Sequence, residues 1–154
     1  MSPQIIPFET KHAPIFRDLN LAWLNTYFSV EPKDRELLDS CEDAIIKKGG
    51  YIFMVEQQGI IAGCYALLPS GKGVFEFGKM AVDSAYQGLG LGQHLMEHAL
   101  GFARRKKWKS LVLYSSTQLP TALHIYWKFG FREIPLEKNL PYTRSDIKME
   151  LILD

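Results

Sequence analysis

Residues 79–92 run from an apolar stretch, Lys79-Met80-Ala81-Val82, through Asp83 into Gln87-Gly88-Leu89-Gly90-Leu91-Gly92, where a helical pattern begins. Glycines leave backbone amides without side-chain cover, and the first turn of a helix presents unpaired N–H groups with partial positive charge. Together they form a seat for phosphate or pyrophosphate. The spacing narrows the kind of seat. A dinucleotide fingerprint needs Gly-x-Gly-x-x-Gly, but Gln93 and Leu95 occupy the places of its last glycine. A Walker loop is absent too, since neither Gly71-Lys72 nor Gly78-Lys79 is followed by Ser or Thr. Upstream, Glu76 interrupts Phe75-Glu76-Phe77, and a carboxylate inside an apolar strand is costly unless it is paired or faces a cleft.

Two further groups invite a chemical reading. His94-Leu95-Met96-Glu97-His98 matches the His-x-x-Glu-His zinc pattern. On a helical wheel, however, His94 and Glu97 lie opposite the Leu91/Leu95/Ala99/Ala103 stripe, so they read as a solvated face rather than a metal site. Arg104-Arg105-Lys106-Lys107, with Lys109, reads as a helix end that complements its dipole, or as a contact for a ligand phosphate.

These residues need elements to hold them. Residues 4–8 read as a first strand, and Thr10 as the N-cap of a helix with Pro14 in its first turn and Phe16, Leu19, Trp23 and Tyr27 at helical spacing. A polar segment follows to Asp39, and Ser40 with Asp43 reads as the capping box of a short helix closed by Gly49-Gly50. Residues 51–56, 60–68 and 74–82 read as an antiparallel meander, turning at Gln57-Gln58-Gly59 and at Ser70-Gly71-Lys72-Gly73. A helix over 91–107, a buried strand over 110–114, a helix opened by Pro120 and closed by Gly130, and strands over 131–134 and 147–153 complete the chain. A meander followed by strand–helix–strand predicts an α/β (α+β) mixed sheet.

Length and composition bound the rest. The 154 residues suit one domain, 1–154, and the 47% hydrophobic and 23% charged content is that of a globular chain. Eighteen basic against seventeen acidic residues, a net +1, argue against nucleic acid as a partner. No apolar run is long enough to span a membrane, and the first residues lack a signal-peptide pattern. Two cysteines, Cys41 and Cys64, in apolar surroundings fit a reduced, cytoplasmic protein.

Gln87-Gly88-x-Gly90-x-Gly92 resembles the Arg/Gln-x-x-Gly-x-Gly/Ala loop of the GNAT superfamily of acetyl-CoA-dependent N-acetyltransferases. The likeness extends through Met80-Ala81-Val82, Leu111-Val112-Leu113-Tyr114 and Ala122-x-x-x-Tyr126-x-x-x-Gly130-Phe131, and so covers nearly the whole chain. It implies a mostly antiparallel central sheet of about six to seven strands flanked by about four helices. Two parallel strands, here 74–82 and 110–115, would splay apart at the cofactor site. Main-chain groups of Met80, Ala81 and Val82 would bind the pantetheine arm of acetyl-CoA, and amides of Gln87, Gly88, Leu89, Gly90, Leu91 and Gly92 its pyrophosphate. The family commonly has Asn three residues before the Ala of the last helix. Leu119 stands there, with Ser116 or Thr117 as substitutes for the missing hydrogen bond.

The resemblance also assigns chemistry. Tyr126 matches the general acid that protonates the departing thiolate, although its helix spacing alone describes a core tyrosine. Glu76 stands where small-amine members carry a Glu that takes the ammonium proton, directly or through water, or binds the ammonium. Tyr114 aligns with an alternative base position, and as a neutral phenol it fits a wall of the acceptor site better. Tyr27, Tyr142 and Arg144 are further acceptor-site residues, while the shared face of Trp23 and Tyr27 also describes core packing. Arg144 for a carboxylate and Glu76 for an ammonium would suit an amino-acid-like acceptor. The expectation is therefore a monomer or homodimer acting on a small-molecule amine, without a metal. The alternative is a module that binds acyl-CoA without turnover, or one that moves a longer acyl group.

Overall fold

A computed structural model describes residues 2–153. The chain forms β1 (Gln4–Pro7), α1 (Ala13–Tyr27), α2 (Pro32–Asp39), β2 (Tyr51–Gln57), β3 (Ile60–Gly71), β4 (Val74–Val82), α3 (Leu91–Arg105), β5 (Ser110–Ser115), α4 (Pro120–Lys128), β6 (Arg132–Ile134) and β7 (Ile147–Ile152). The seven strands make one sheet in the order β1-β2-β3-β4-β5-β7-β6, and only β4 and β5 run parallel. The mixed sheet and its four α-helices are the predicted architecture. Among the described residues no helix is long and apolar enough to cross a membrane.

Successive residues of a strand point to opposite faces, and here both faces are covered. Ile52, Met54, Cys64 and Ala66 pack under Phe16, Leu24, Leu37 and Leu38 of α1 and α2. Their neighbours Phe53, Val55, Tyr65 and Leu67 pack on the other face against Leu91, Leu95, Met96, Ala99 and Ala103 of α3. That explains why 51–55 and 61–68 read as almost continuous apolar runs. It also confirms the stripe on α3, whose 91/95/99/103 residues are all buried.

The N-terminal third departs from the sequence reading in three places. Thr10 does not cap α1. A short 3-10 turn, Thr10–His12, precedes the helix, with Glu9 as its N-cap, and the Thr10 hydroxyl donates to Glu42 instead. Residues 32–39, read as a polar segment, form α2, because Glu31 and Asp34 make reciprocal capping bonds around Pro32. Ser40 then ends α2 rather than capping the next turn, and residues 42–46 wind as a single π-turn before Gly49 and Gly50.

The arrangement that matters for function lies between β4 and β5. Their lower ends are fastened by the pairs Val74–Ser110, Phe75–Leu111 and Glu76–Val112, by Lys109 N–H donating to the Gly73 carbonyl, and by a face-to-face stack of Phe75 on Trp108 at 3.6 Å. Beyond Glu76 the two strands no longer pair. The cause sits on the other edge of β4. Between the pairs Cys64–Ala81 and Ala66–Gly78, one residue of β3 faces two of β4, a bulge in which Lys79 adopts a left-handed φ of 52°. A bulge bends and overtwists its strand, and this one turns the upper half of β4 away from β5.

Candidate active site

The splay opens a cleft of about 590 Å³. Its walls are β4 and β5 beyond their last pair, the start of α4, the C-terminal half of α1 and the segment carrying Tyr142 and Arg144. Tyr126, Glu76, Tyr114, Tyr142, Arg144, Tyr27 and Met80, each singled out in the sequence, all line it. On the β5 side, the backbone of residues 78–82 has no strand partner among the described residues.

Beside this edge lies the glycine loop. Gly88 and Gly90 take left-handed φ values of 83° and 77°, which explains their identity, since other residues pay about 1–2 kcal/mol for that conformation. A β-carbon at either position would meet nothing within 4 Å. The loop is thus not closed by packing; it faces open space, with Leu89 exposed at its tip. Gly90 caps α3 without any side-chain bond, so the first amides of the helix stay available. Gly92 sits over Met80, whose methyl would be 3.8 Å from an added β-carbon, and this joins the loop to the unpaired edge of β4.

The Tyr-x-x-x-Gly-Phe pattern acquires a physical cause. Gly130, at φ 105°, ends α4 with its N–H donating to the Trp127 carbonyl, while the Phe131 N–H donates to the Tyr126 carbonyl. That is a Schellman closure, and its apolar contact is the edge-on packing of fully buried Phe131 against the Tyr126 ring, with centroids 6.2 Å apart. The motif therefore anchors the tyrosine. Its hydroxyl has no hydrogen-bond partner among the described residues, and burial pushes its pKa up to about 12. The result is a phenol that stays protonated and is free to donate.

Glu76 is the reciprocal group. Its carboxylate has no hydrogen bond or ion pair among the described residues. Burial raises its pKa above the ordinary carboxylate range, while Lys79 and Lys148 pull in the opposite direction. Tyr114, the other base position, is committed elsewhere: its hydroxyl bonds Glu137 at 2.5 Å and Lys148 lies over its ring. Burial and that bond to a carboxylate raise its pKa, which makes it a wall. Thr117 is committed as well. Its N–H and hydroxyl both bond the Asp146 carboxylate, so it does not replace the donor missing at Leu119.

Arg144 differs from its expected role. Its two terminal nitrogens contact Asp34 at 2.8 and 2.9 Å and Glu31 at 3.1 Å. Asp34, with no exposed surface, also receives Lys79 Nζ at 2.7 Å, and Lys79 donates to the Tyr142 hydroxyl at 3.0 Å. Burial alone would raise the Asp34 carboxyl, yet the bonds from Arg144 and Lys79 carry it down to about 2. This network ties α2 and the 142–144 segment to the bulge of β4, and it spends the guanidinium's charge on two protein carboxylates rather than on a substrate carboxylate. Sequence reasoning passed over Asp34 and Lys79. The available signal was Lys79 itself, a second charge in an apolar strand three residues after Glu76.

Trp23 packs against the core under α1 as its helix spacing suggested, whereas Tyr27 does not follow the core reading. Both line the cleft, Tyr27 is 46% exposed, and Trp23 packs on Tyr27 and Phe28 with centroids 5.4 and 5.6 Å apart. The helix buries Phe16, Asn20 and Leu24 most deeply, and Asn20 and Leu24 also reach the cleft beside Trp23 and Tyr27. In the His-x-x-Glu-His stretch, His98 turns inward to pair its Nδ1 with the Tyr65 hydroxyl at 2.7 Å, while Glu97 is exposed.

Residues 48–133, more than half of the chain, match the acetyltransferase (GNAT) domain family. The chain belongs to the GNAT acetyltransferase family. N-acetyltransferase 8 of Rattus norvegicus is 24% identical over 103 residues, a stretch that is 64% of this chain and 46% of that protein. The matched region thus spans less than half the length of that curated relative. Among solved structures, an acetyltransferase of the GNAT family from Staphylococcus aureus Mu50 superposes with TM-score 0.87 at 19% identity, covering 99% of this chain and 100% of that one. A GNAT family acetyltransferase from Elizabethkingia anophelis, solved with acetyl-CoA bound, gives TM-score 0.75 at 24% identity over 98% of both chains. At these identities the structural likeness shows the fold alone.

Proposed function

We propose that this GNAT domain transfers the acetyl group of acetyl-CoA directly to a primary amine of a small acceptor. One observation carries the reading: a single cleft holds a protonated phenol and a carboxylate, Tyr126 and Glu76, neither engaged by any other group among the described residues. The seat for the donor fits its chemistry. The unpaired β4 edge at 78–82 offers main-chain groups to an amide-bearing arm, and the open glycine loop at the head of α3 offers amides to a pyrophosphate. The relatives solved with acetyl-CoA or coenzyme A bound support the same assignment.

Acetyl-CoA supplies a thioester whose C–S bond is exchanged for a C–N bond to the amine, releasing the CoA thiol and one proton. Glu76 takes a proton from the incoming ammonium, directly or through water, and so frees the lone pair that attacks. Burial raises its pKa, which makes its ionised form a stronger base than an exposed carboxylate. Tyr126 holds its proton at neutral pH and gives it to the departing sulfur, and the second proton that the nitrogen sheds as the amide forms restores the phenol. A covalent route through cysteine lacks a nucleophile: Cys41 and Cys64 are both buried, and burial pushes the Cys64 thiol up to about 12. Leu119 favours the second reading, an acyl-CoA binder without turnover, because it brings no side-chain donor to the head of α4. A cytoplasmic monomer or homodimer remains part of the proposal.

The test is thiol release from acetyl-CoA across a broad set of primary amines, with the N-acetyl product identified by mass. Amine-dependent release with matching product supports the transferase. Tight acetyl-CoA binding with no product across the whole set supports the non-catalytic binder.

A further inference from the structure

The charges around the cleft define its acceptor further. Of its charged lining residues, Lys79 and Arg144 are neutralised by Asp34 and Glu31, and Lys33 pairs with Glu36 at 3.2 Å. Glu76 is the charged lining residue left without a partner among the described residues. The cleft therefore has one unmet charge, and it is negative. A substrate carboxylate would find no free cation. A second substrate ammonium would find no free acid, and it would approach the Tyr142 ring, whose face already carries Lys79 at 4.7 Å and Arg144 at 4.2 Å.

The opposite wall is apolar. Trp23, Tyr27 and Phe28 form a contiguous aromatic surface on the end of α1, and their exposed flank faces the same volume as Glu76. Leu37 and Leu68 extend it. Three contiguous, partly exposed aromatic rings inside a concave cleft, rather than scattered singly over the surface, describe a binding surface. We infer that the acceptor is a monocationic primary amine on an aromatic-sized apolar body with no carboxylate and no second charge. Its ammonium meets Glu76 and its body lies against Trp23, Tyr27 and Phe28. The inference rests on the proposed acetyl transfer and narrows its substrate class.

Matched amines test it. With acetyl-CoA saturating, kcat/KM is measured for 2-phenylethylamine, for phenylalanine, which adds only the carboxylate, for ethylamine, which lacks the ring, and for spermidine, which adds charge. The expected order places 2-phenylethylamine about 10²-fold above phenylalanine and spermidine, since each adds a charge that the cleft leaves unpaired. It also stands at least about 10-fold above ethylamine, for the ring the aromatic wall would cover. Tyr27→Ala, at an exposed position, should raise KM for 2-phenylethylamine by a larger factor than KM for ethylamine. Calorimetry of 2-phenylethylamine on the CoA-loaded protein gives a readout independent of turnover, and Tyr27→Ala should weaken it in parallel. Phenylalanine or spermidine equal to or better than 2-phenylethylamine would overturn the inference and leave the transferase standing. So would a ring worth nothing over ethylamine, or a Tyr27→Ala protein without effect. No acetylation and no binding of any of the four, in a protein that binds acetyl-CoA, would overturn both.

Discussion

Glu76 and Tyr126 are two titratable side chains of the cleft without a hydrogen-bond partner among the described residues, and burial pushes both toward their protonated forms, which suits the tasks proposed for them. Glu76→Gln keeps the shape and removes the proposed base. Glu76 works as a base only when ionised, so wild-type activity should rise as pH climbs through its raised pKa. The variant should lose that limb and instead follow the free-amine fraction. Its deficit should reach roughly 10²–10⁴-fold near neutral pH and shrink as pH rises. A pH–rate profile reads this directly, and a deficit constant with pH would reassign Glu76 to holding the ammonium. Tyr126→Phe keeps the ring on Phe131 and removes the proton donor. Its kcat should fall by roughly 10²–10⁴-fold with KM and acetyl-CoA affinity nearly unchanged, because the proton is needed only in the transition state. A variant with wild-type kcat would mean that water or another group protonates the sulfur.

At the scale of elements, the glycine loop and the β4 bulge form the seat proposed for the donor. Gly90→Val places a branched side chain where the structure has open space, so the fold should survive with a loss of about 1–2 kcal/mol from the left-handed φ. Acetyl-CoA binding should nevertheless disappear in calorimetry, since the same space must admit the pyrophosphate. Undiminished affinity would reduce the loop to a turn. The loop, the α3 stripe and the strand meander were legible from residue spacing, because each is a local pattern with a fixed period. The bulge was not legible: it depends on the register between two strands, and no residue at 79–80 announces it. Helix α2 was missed because Lys33, Asp34, Arg35 and Glu36 make it polar, and its capping residues Glu31 and Asp34 read equally well as loop. Arg144 was placed in the right cleft with the wrong task. A sequence shows a cation but not the buried carboxylates that satisfy it.

For the whole molecule, the Asp34 network is where stability and site geometry meet. Asp34→Asn strips a buried charge cluster of its central anion, which typically costs about 3–5 kcal/mol. In a chain of this size that corresponds to a fall in Tm on the order of 10 °C in a melting experiment. The acid side follows from the sign of the shift. The Asp34 carboxyl is depressed on folding, so its contribution is present above its unfolded value near 3.8 and is lost as pH falls toward about 2. That is about 2 kcal/mol of acid-dependent stability, absent in the variant. Lys79, held down by burial despite Asp34, offsets part of the pair's gain while it is charged, and that cost is relieved as pH rises through its lowered pKa. A variant with wild-type Tm and acid sensitivity would mean that the network contributes nothing to holding the bulge.

The most direct test of direct acetyl transfer is to mix the protein with acetyl-CoA, then add 2-phenylethylamine, and follow the intact mass of the chain and the small-molecule products together. The splayed cleft, with no accessible cysteine and with Glu76 and Tyr126 as its proton carriers, predicts an unmodified chain and no thiol release before the amine. After the amine, N-acetyl product and free CoA thiol should appear in equal amounts. An acetylated chain that forms first and decays as product appears would contradict the account. So would bound acetyl-CoA that yields no product with this amine or any other.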